Sequence, residues 1–232
     1  MKDKSPWMTI WTEPRATIRK IVFENPKRAL WLLAAVYGFS SLLNSFQSVF
    51  LGNQLQVLPI IVIALVLSPI WGYIVFSVWS WVVCWTGKLL KGEGNFQHVR
   101  AAYAWSCVPL IVNAALWIVL ILLFGRPLFS NFPQEHFLTN GEATLMFLIL
   151  IVKVVLAIWS LVIYLNALAE VQNYSILRAI GNVLIAGILI GVVFAIIWSL
   201  SLQAMGVSLE HSNTAFQILN DGKMLETIRG DL

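Results

Sequence analysis

The sequence predicts an all-α protein, a polytopic membrane helical bundle with five transmembrane helices, a cytoplasmic N-terminus and a C-terminus outside. Three observations carry this expectation. The 232-residue chain is 59% hydrophobic and only 11% charged, with a mean hydropathy of +0.81, whereas a water-soluble domain carries about 25% charged residues. Several apolar runs reach the roughly 20 residues that a helix needs to cross a hydrocarbon core. Lys and Arg fall almost entirely on every second polar loop, a pattern that sets orientation through the positive-inside rule.

Residues 1–28 are expected to form a cytoplasmic basic amphipathic arm. Thr12 is placed to cap a short helix with Pro14 in its first turn. Asn25-Pro26 ends that helix, because proline disfavours the helical state of the residue before it. Ile18, Ile21 and Val22 share one face, while Arg15, Arg19 and Lys20 point mostly elsewhere. With Trp7 and Trp11 nearby, this reads as a helix lying in the headgroup plane.

The membrane domain is expected over residues 29–205, with spans at about 29–51, 57–86, 99–124, 144–170 and 178–205. The second is long for one crossing and short for two, so Pro69 and Gly72 are read as kinking a single tilted helix. A glycine-rich basic loop, residues 87–98, leads to the third span, whose Pro109 is placed near one end. The 125–143 loop, with prolines and aromatics, reads as a structured interfacial connection. Residues 206–232 form a polar extracytoplasmic tail in which Phe216, Leu219 and Ile228 are loosely periodic.

The charge census selects the span number. Eleven cations (Lys2, Lys4, Arg15, Arg19, Lys20, Lys27, Arg28, Lys88, Lys91, Arg100 and Arg178) fall on one side, and Arg126, Lys223 and Arg229 on the other. Reading residues 57–86 as two crossings would place the basic loop outside, against that bias. Basic residues beside apolar runs point to anionic lipid rather than nucleic acid.

Lys153 is the one formal charge deep in a span. It is read either as a snorkelling lysine, about nine residues or ~13 Å from the outer helix end, or as part of a substrate, proton or partner site. Asn44, Gln47 and Asn113 fall at similar depth and form with it a candidate intramembrane polar site, though such residues more often hold helices together. At the cytoplasmic side, Arg15, Arg19, Lys20, Glu170 and Arg178 form a candidate interaction face, with Glu170 expected to pair with Arg178 or Arg100. Gly187, Gly191 and Ala195 form a small-residue stripe, a candidate helix-packing surface through which the fifth span would pair with a second copy.

Catalytic signatures are missing. His98, His136 and His211 are scattered, Cys84 and Cys107 have no zinc-ligand spacing, and no HExxH, GxSxG or phosphate-loop motif occurs. No enzyme, cofactor or metal is expected, nor is a cleavable signal peptide expected before the first span. The expected surroundings are a bilayer, with membrane or cytoplasmic protein partners.

Three segments carry a family resemblance. The arm "PWMTIWTEPRATIRKIVFENPKR", the third span's "RAAYAWSCVPLIV" with Tyr103 and Pro109, and "YLNALAEVQNYSILRAIGNVLIA" at the fourth-to-fifth turn resemble the Yip1-domain family in its bacterial form. That resemblance covers about residues 7–205 and implies a helical membrane protein of the bacterial cytoplasmic membrane. Eukaryotic members act in membrane trafficking with small prenylated GTPases and carry an Asp-Leu-x-Gly-Pro-type motif that this chain lacks, so that activity transfers to none of its residues. The expected function is a non-enzymatic membrane-organising or protein-interaction component. The alternative is a small transporter or channel whose path passes Lys153, Asn113 and Asn44.

Overall fold

The computed structural model describes residues 5–131 and 139–204. The expected 206–232 tail lies outside the described residues, as do Lys2, Lys4, His136 and His211. The chain divides into two units, residues 1–186 and 187–232.

In the first unit, α1 (Pro6–Thr9) and α2 (Pro14–Glu24) make up the arm. Pro14 opens α2, where its missing N–H costs nothing. Thr12 does not cap that helix. Glu13 precedes Pro14 and lends no side-chain bond, while the Thr17 hydroxyl donates to Thr9 Oγ1 at 2.8 Å. Asn25 ends the helix in an extended conformation, as the following Pro26 requires.

The arm is docked on the helical bundle. Ile10, Ile18 and Ile21 are fully buried against Leu33, Trp105 and Ile163 of later helices. Trp7 packs on Trp105 with ring centroids 4.9 Å apart. The apolar face of α2 is therefore covered by protein, and its amphipathic pattern marks a docking face. Periodicity alone does not distinguish lipid from a neighbouring helix as the cover.

Helix α3 (Leu30–Ser48) packs along α4 (Val57–Leu89), joined through a short 3-10 turn, Leu51–Asn53. Two glycines set how closely they cross. A Cβ on Gly38 would strike the Ser68 carbonyl, and one on Gly72 would strike that of Ala34. Pro69 lies inside the unbroken α4. Proline cannot donate to the carbonyl four residues back, and the Ser68 hydroxyl donates to Leu65 O instead, at 2.9 Å.

The third expected span is broken. Helices α5 (Phe96–Ser106) and α6 (Leu110–Phe124) meet at a 46° bend. Pro109 thus closes the break at residues 107–109 and N-caps α6, well inside the expected span and not near its end. The Ser106 carbonyl accepts from Ser160 Oγ of the next helix at 2.7 Å, which satisfies a backbone group that the break leaves without a helical partner.

A 3-10 turn, Arg126–Phe129, folds back on the bundle and buries Phe129 against Trp117. Helix α7 (Asn140–Val171) opens with a reciprocal capping box between Thr139 and Glu142. Helix α8 (Ile176–Ala204) begins in the first unit, where Ala179, Asn182 and Ala186 are buried. Its continuation from Gly187 is the described part of the second unit, and there Ile188, Val192, Phe194, Ile197 and Trp198 are exposed.

By length and apolarity, α4, α7 and α8 qualify as membrane spans, and the bent α5–α6 pair makes a fourth if it crosses as one. Helix α3, at 19 residues, is not among them. Among the described residues no strand occurs. The protein is an all-helical membrane protein with three or four spans on this measure, against the five expected.

Candidate functional site: a polar groove at the arm end

At the end of α7 the chain turns sharply through Gln172–Ser175. Asn173 takes a left-handed φ of 56°, which its short polar side chain tolerates better than most. The turn clamps the glycine-rich loop between α4 and α5. Gln172 is fully buried; its backbone carbonyl accepts from Glu93 N at 3.1 Å and its Oε1 from Gly94 N at 3.0 Å. A side chain on Gly94 would meet the Val171 carbonyl at 2.7 Å, so only glycine fits beside this turn. Asn173 Nδ2 donates to Glu93 Oε2 at 2.9 Å.

A second buried network ties α8 to the same place. Asn182 donates to Val83 O at 3.1 Å and to the Tyr174 hydroxyl at 2.8 Å, and it pairs with Thr86. Burial raises the Tyr174 phenol above its ordinary value, while the Asn182 hydrogen bond acts the other way. Gln172 belongs to the polar group expected at this helix end, whereas Asn182 and Thr86 were not singled out in the sequence. The one signal those two carry is a polar side chain near the end of an apolar run.

Over this framework lies a groove of about 510 Å³ lined by Arg15, Arg19, Glu170, Asn173, Tyr174, Ser175 and Arg178. Four of the five residues of the expected interaction face thus meet. The partners differ from expectation. Glu170 pairs with Arg19 at 2.6 Å and not with Arg178 or Arg100, and the bond and charge of Glu170 hold the Arg19 guanidinium above its ordinary value. Arg15 Nε donates to Asn166 Oδ1 at 3.2 Å. Lys20 stands outside the lining, 3.8 Å from Glu24. Arg100 is buried, its guanidinium over the rings of Phe96 and Tyr73 and donating to Tyr73 Oη at 2.9 Å.

The expected intramembrane cluster comes together only in part. Lys153 Nζ lies 3.9 Å from the centroid of the Trp117 ring, a cation–π contact that turns it toward α6. Lys153 and Gln47 line a small cavity of about 270 Å³ with Leu128 and Met146, and Gln47 Nε2 donates to Leu128 O at 3.1 Å. Asn44 instead donates to Ser40 O of its own helix at 2.9 Å, and Asn113 lies outside that lining with its buried Oδ1 unpartnered among the described residues. The sequence places these residues along their helices but does not say which way each side chain faces. Gly187 and Gly191 have nothing within 4 Å of where a Cβ would stand, and Ala195 is exposed.

Tyr103 and Pro109, two residues of the resemblance, have structural places. Tyr103 packs edge-on against Phe76 and Tyr164 with centroids 5.3 and 5.1 Å away, and Pro109 starts α6 after the bend. No curated protein and no solved structure gives a significant match to the chain. The family model described as Yip1 domain matches residues 8–208, which takes in α2, the described helices after it and the groove, and the chain belongs to the Yip1 domain family.

Proposed function

We propose that this Yip1 domain protein is a non-enzymatic, multi-pass component of a bacterial cytoplasmic membrane that organises or recruits other proteins through its arm end. The observation that carries the reading is the groove. Two arm arginines, the Glu170 carboxylate and Arg178 are drawn from three helices onto one surface, over a framework of buried hydrogen bonds. Rigid support beneath exposed charge suits recognition by a partner.

The proposed topology is five spans, with α3 and the bent α5–α6 pair each crossing once. Helix α3 has 19 residues, which at ~1.5 Å each reach roughly 28 Å, close to a hydrocarbon thickness. This count keeps the cations of the arm, the second loop and the α7–α8 turn in the cytoplasm and the C-terminus outside. The domain plan is a cytoplasmic arm over residues 1–28, a membrane domain over 29–205 and an external tail over 206–232. The open Gly187, Gly191 and Ala195 stripe supports self-association through α8.

Crosslinking from native membranes tests the reading. Reversing the arm charges with Arg15→Glu/Arg19→Glu/Lys20→Glu is expected to remove partners that the wild-type chain captures. An unchanged partner set would sink it.

A further inference from the structure

We infer that the groove between α2 and the α7–α8 turn is a binding site for a phosphate group, presented by the headgroup of an anionic lipid in the leaflet it faces. The inference deepens the interaction-face reading and rests on it only for which leaflet that is.

Three guanidinium groups, Arg15, Arg19 and Arg178, line the groove against a single carboxylate, Glu170. Arg15 and Arg19 each spend their Nε on a protein partner, Asn166 and Glu170. Their terminal amino groups make no hydrogen bond to any described residue, and the Arg178 side chain makes none at all to one. Guanidinium forks match phosphate oxygens two at a time, which makes such a set a recognition device for that group. The first turn of α8, where Ser175 Oγ accepts from Arg178 N at 3.4 Å, adds the positive end of a long helix dipole to the same wall.

The flank of the groove names the source of the phosphate. On the Arg178 side of α8, Gly181 stands open one turn on and Ile185 is 38% exposed two turns on, in a helix apolar and long enough to cross a membrane. An acyl chain can run along this apolar strip while its phosphate meets Arg178. A soluble anion would have no use for it. Glu170 competes with the phosphate for Arg19, so binding would draw Arg19 off its carboxylate.

Native mass spectrometry of the purified full-length chain tests this, with no protein partner present, so the recruitment reading and the lipid site can fail independently. With phosphatidylglycerol and phosphatidylcholine offered separately, phosphatidylglycerol is expected to be retained in clear excess. Arg178→Gln is expected to lower that retention about tenfold, the loss of one good charge-assisted contact, with an unchanged melting temperature because Arg178 holds no described partner. Glu170→Gln, which removes the competitor, is expected to raise retention. Equal retention of the two lipids would overturn the site, as would retention unaffected by both Arg178→Gln and Arg15→Gln/Arg19→Gln. Complete displacement of phosphatidylglycerol by millimolar inorganic phosphate would overturn the lipid as its source.

Discussion

Arg19 on α2 and Glu170 at the end of α7 meet at 2.6 Å across 151 positions of sequence, and this pair ties the N-terminal arm to the membrane domain. The carboxylate is largely buried and the guanidinium mostly exposed, with side-chain exposures of 17% and 73%. Glu170 is therefore the partner that cannot easily turn to water instead. Charge reversal by Arg19→Glu or by Glu170→Arg should speed amide exchange across residues 14–24, and the two together should restore much of the protection. Equal exchange in all three variants would show the pair to be incidental.

The pair is a rim contact, and the apolar face of α2 should carry most of the docking. Ile18 is fully buried, and Ile18→Ala should cost about 2 kcal/mol or more. Trypsin reads this directly, since Arg15, Arg19 and Lys20 lie on the same helix. Cleavage in the arm should be much faster in Ile18→Ala than in the wild-type chain. A substitution of exposed Phe23 should leave the rate unchanged.

How closely α3 and α4 cross depends on two hydrogens in place of two methyl groups. Gly38→Ala and Gly72→Ala would each drive a Cβ into a facing backbone carbonyl, which no rotamer change can relieve. Each should lower stability by about 1–3 kcal/mol, seen as a lower melting temperature in detergent. Gly187→Ala has open space and should be neutral in the monomer.

Gln172→Ala should leave the Gly94 N–H without its acceptor and open a void beneath the groove. A cost of about 1–3 kcal/mol is expected from the stranded donor alone. Asn173→Gly keeps the left-handed φ available and loses only an exposed hydrogen bond, so it should change stability little.

Much of this architecture was legible in the sequence, because hydrophobic length and proline act locally. The single long α4, the end of α2 at Asn25 and the turn after Glu170 follow from such local rules. What could not be read was which surface covers an apolar face. Ile18 and Ile21 have the same spacing whether they meet acyl chains or Ile163. Pairings across the chain were equally hidden: Arg178 and Arg100 were the partners expected for Glu170, and the docking of α2 supplies Arg19 instead. The position of Lys153 was legible, but its turn toward Trp117 was not.

That turn bears on the transport alternative. Lys153 and Gln47 share a cavity, but Asn44 and Asn113 do not line it, so among the described residues that cavity brings together two of the four. Lys153→Met should leave the protein folded, exchanging a cation–π contact worth about 0.5–2 kcal/mol for relief from burying a charge. Liposomes with the wild-type chain should show no solute flux above empty vesicles. Flux that Lys153→Met abolishes would favour a path through this site.

The claim on which the rest depends is that the arm and the α7–α8 turn form one cytoplasmic surface. Ser175 is exposed in the groove, and both native cysteines, Cys84 and Cys107, are buried and should stay silent toward a membrane-impermeant maleimide. Labelling of Ser175→Cys in sealed spheroplasts and in inverted vesicles therefore reads the side directly. The expected result is label in inverted vesicles only. Label from intact spheroplasts would place the turn outside and contradict both the topology and the groove's proposed role.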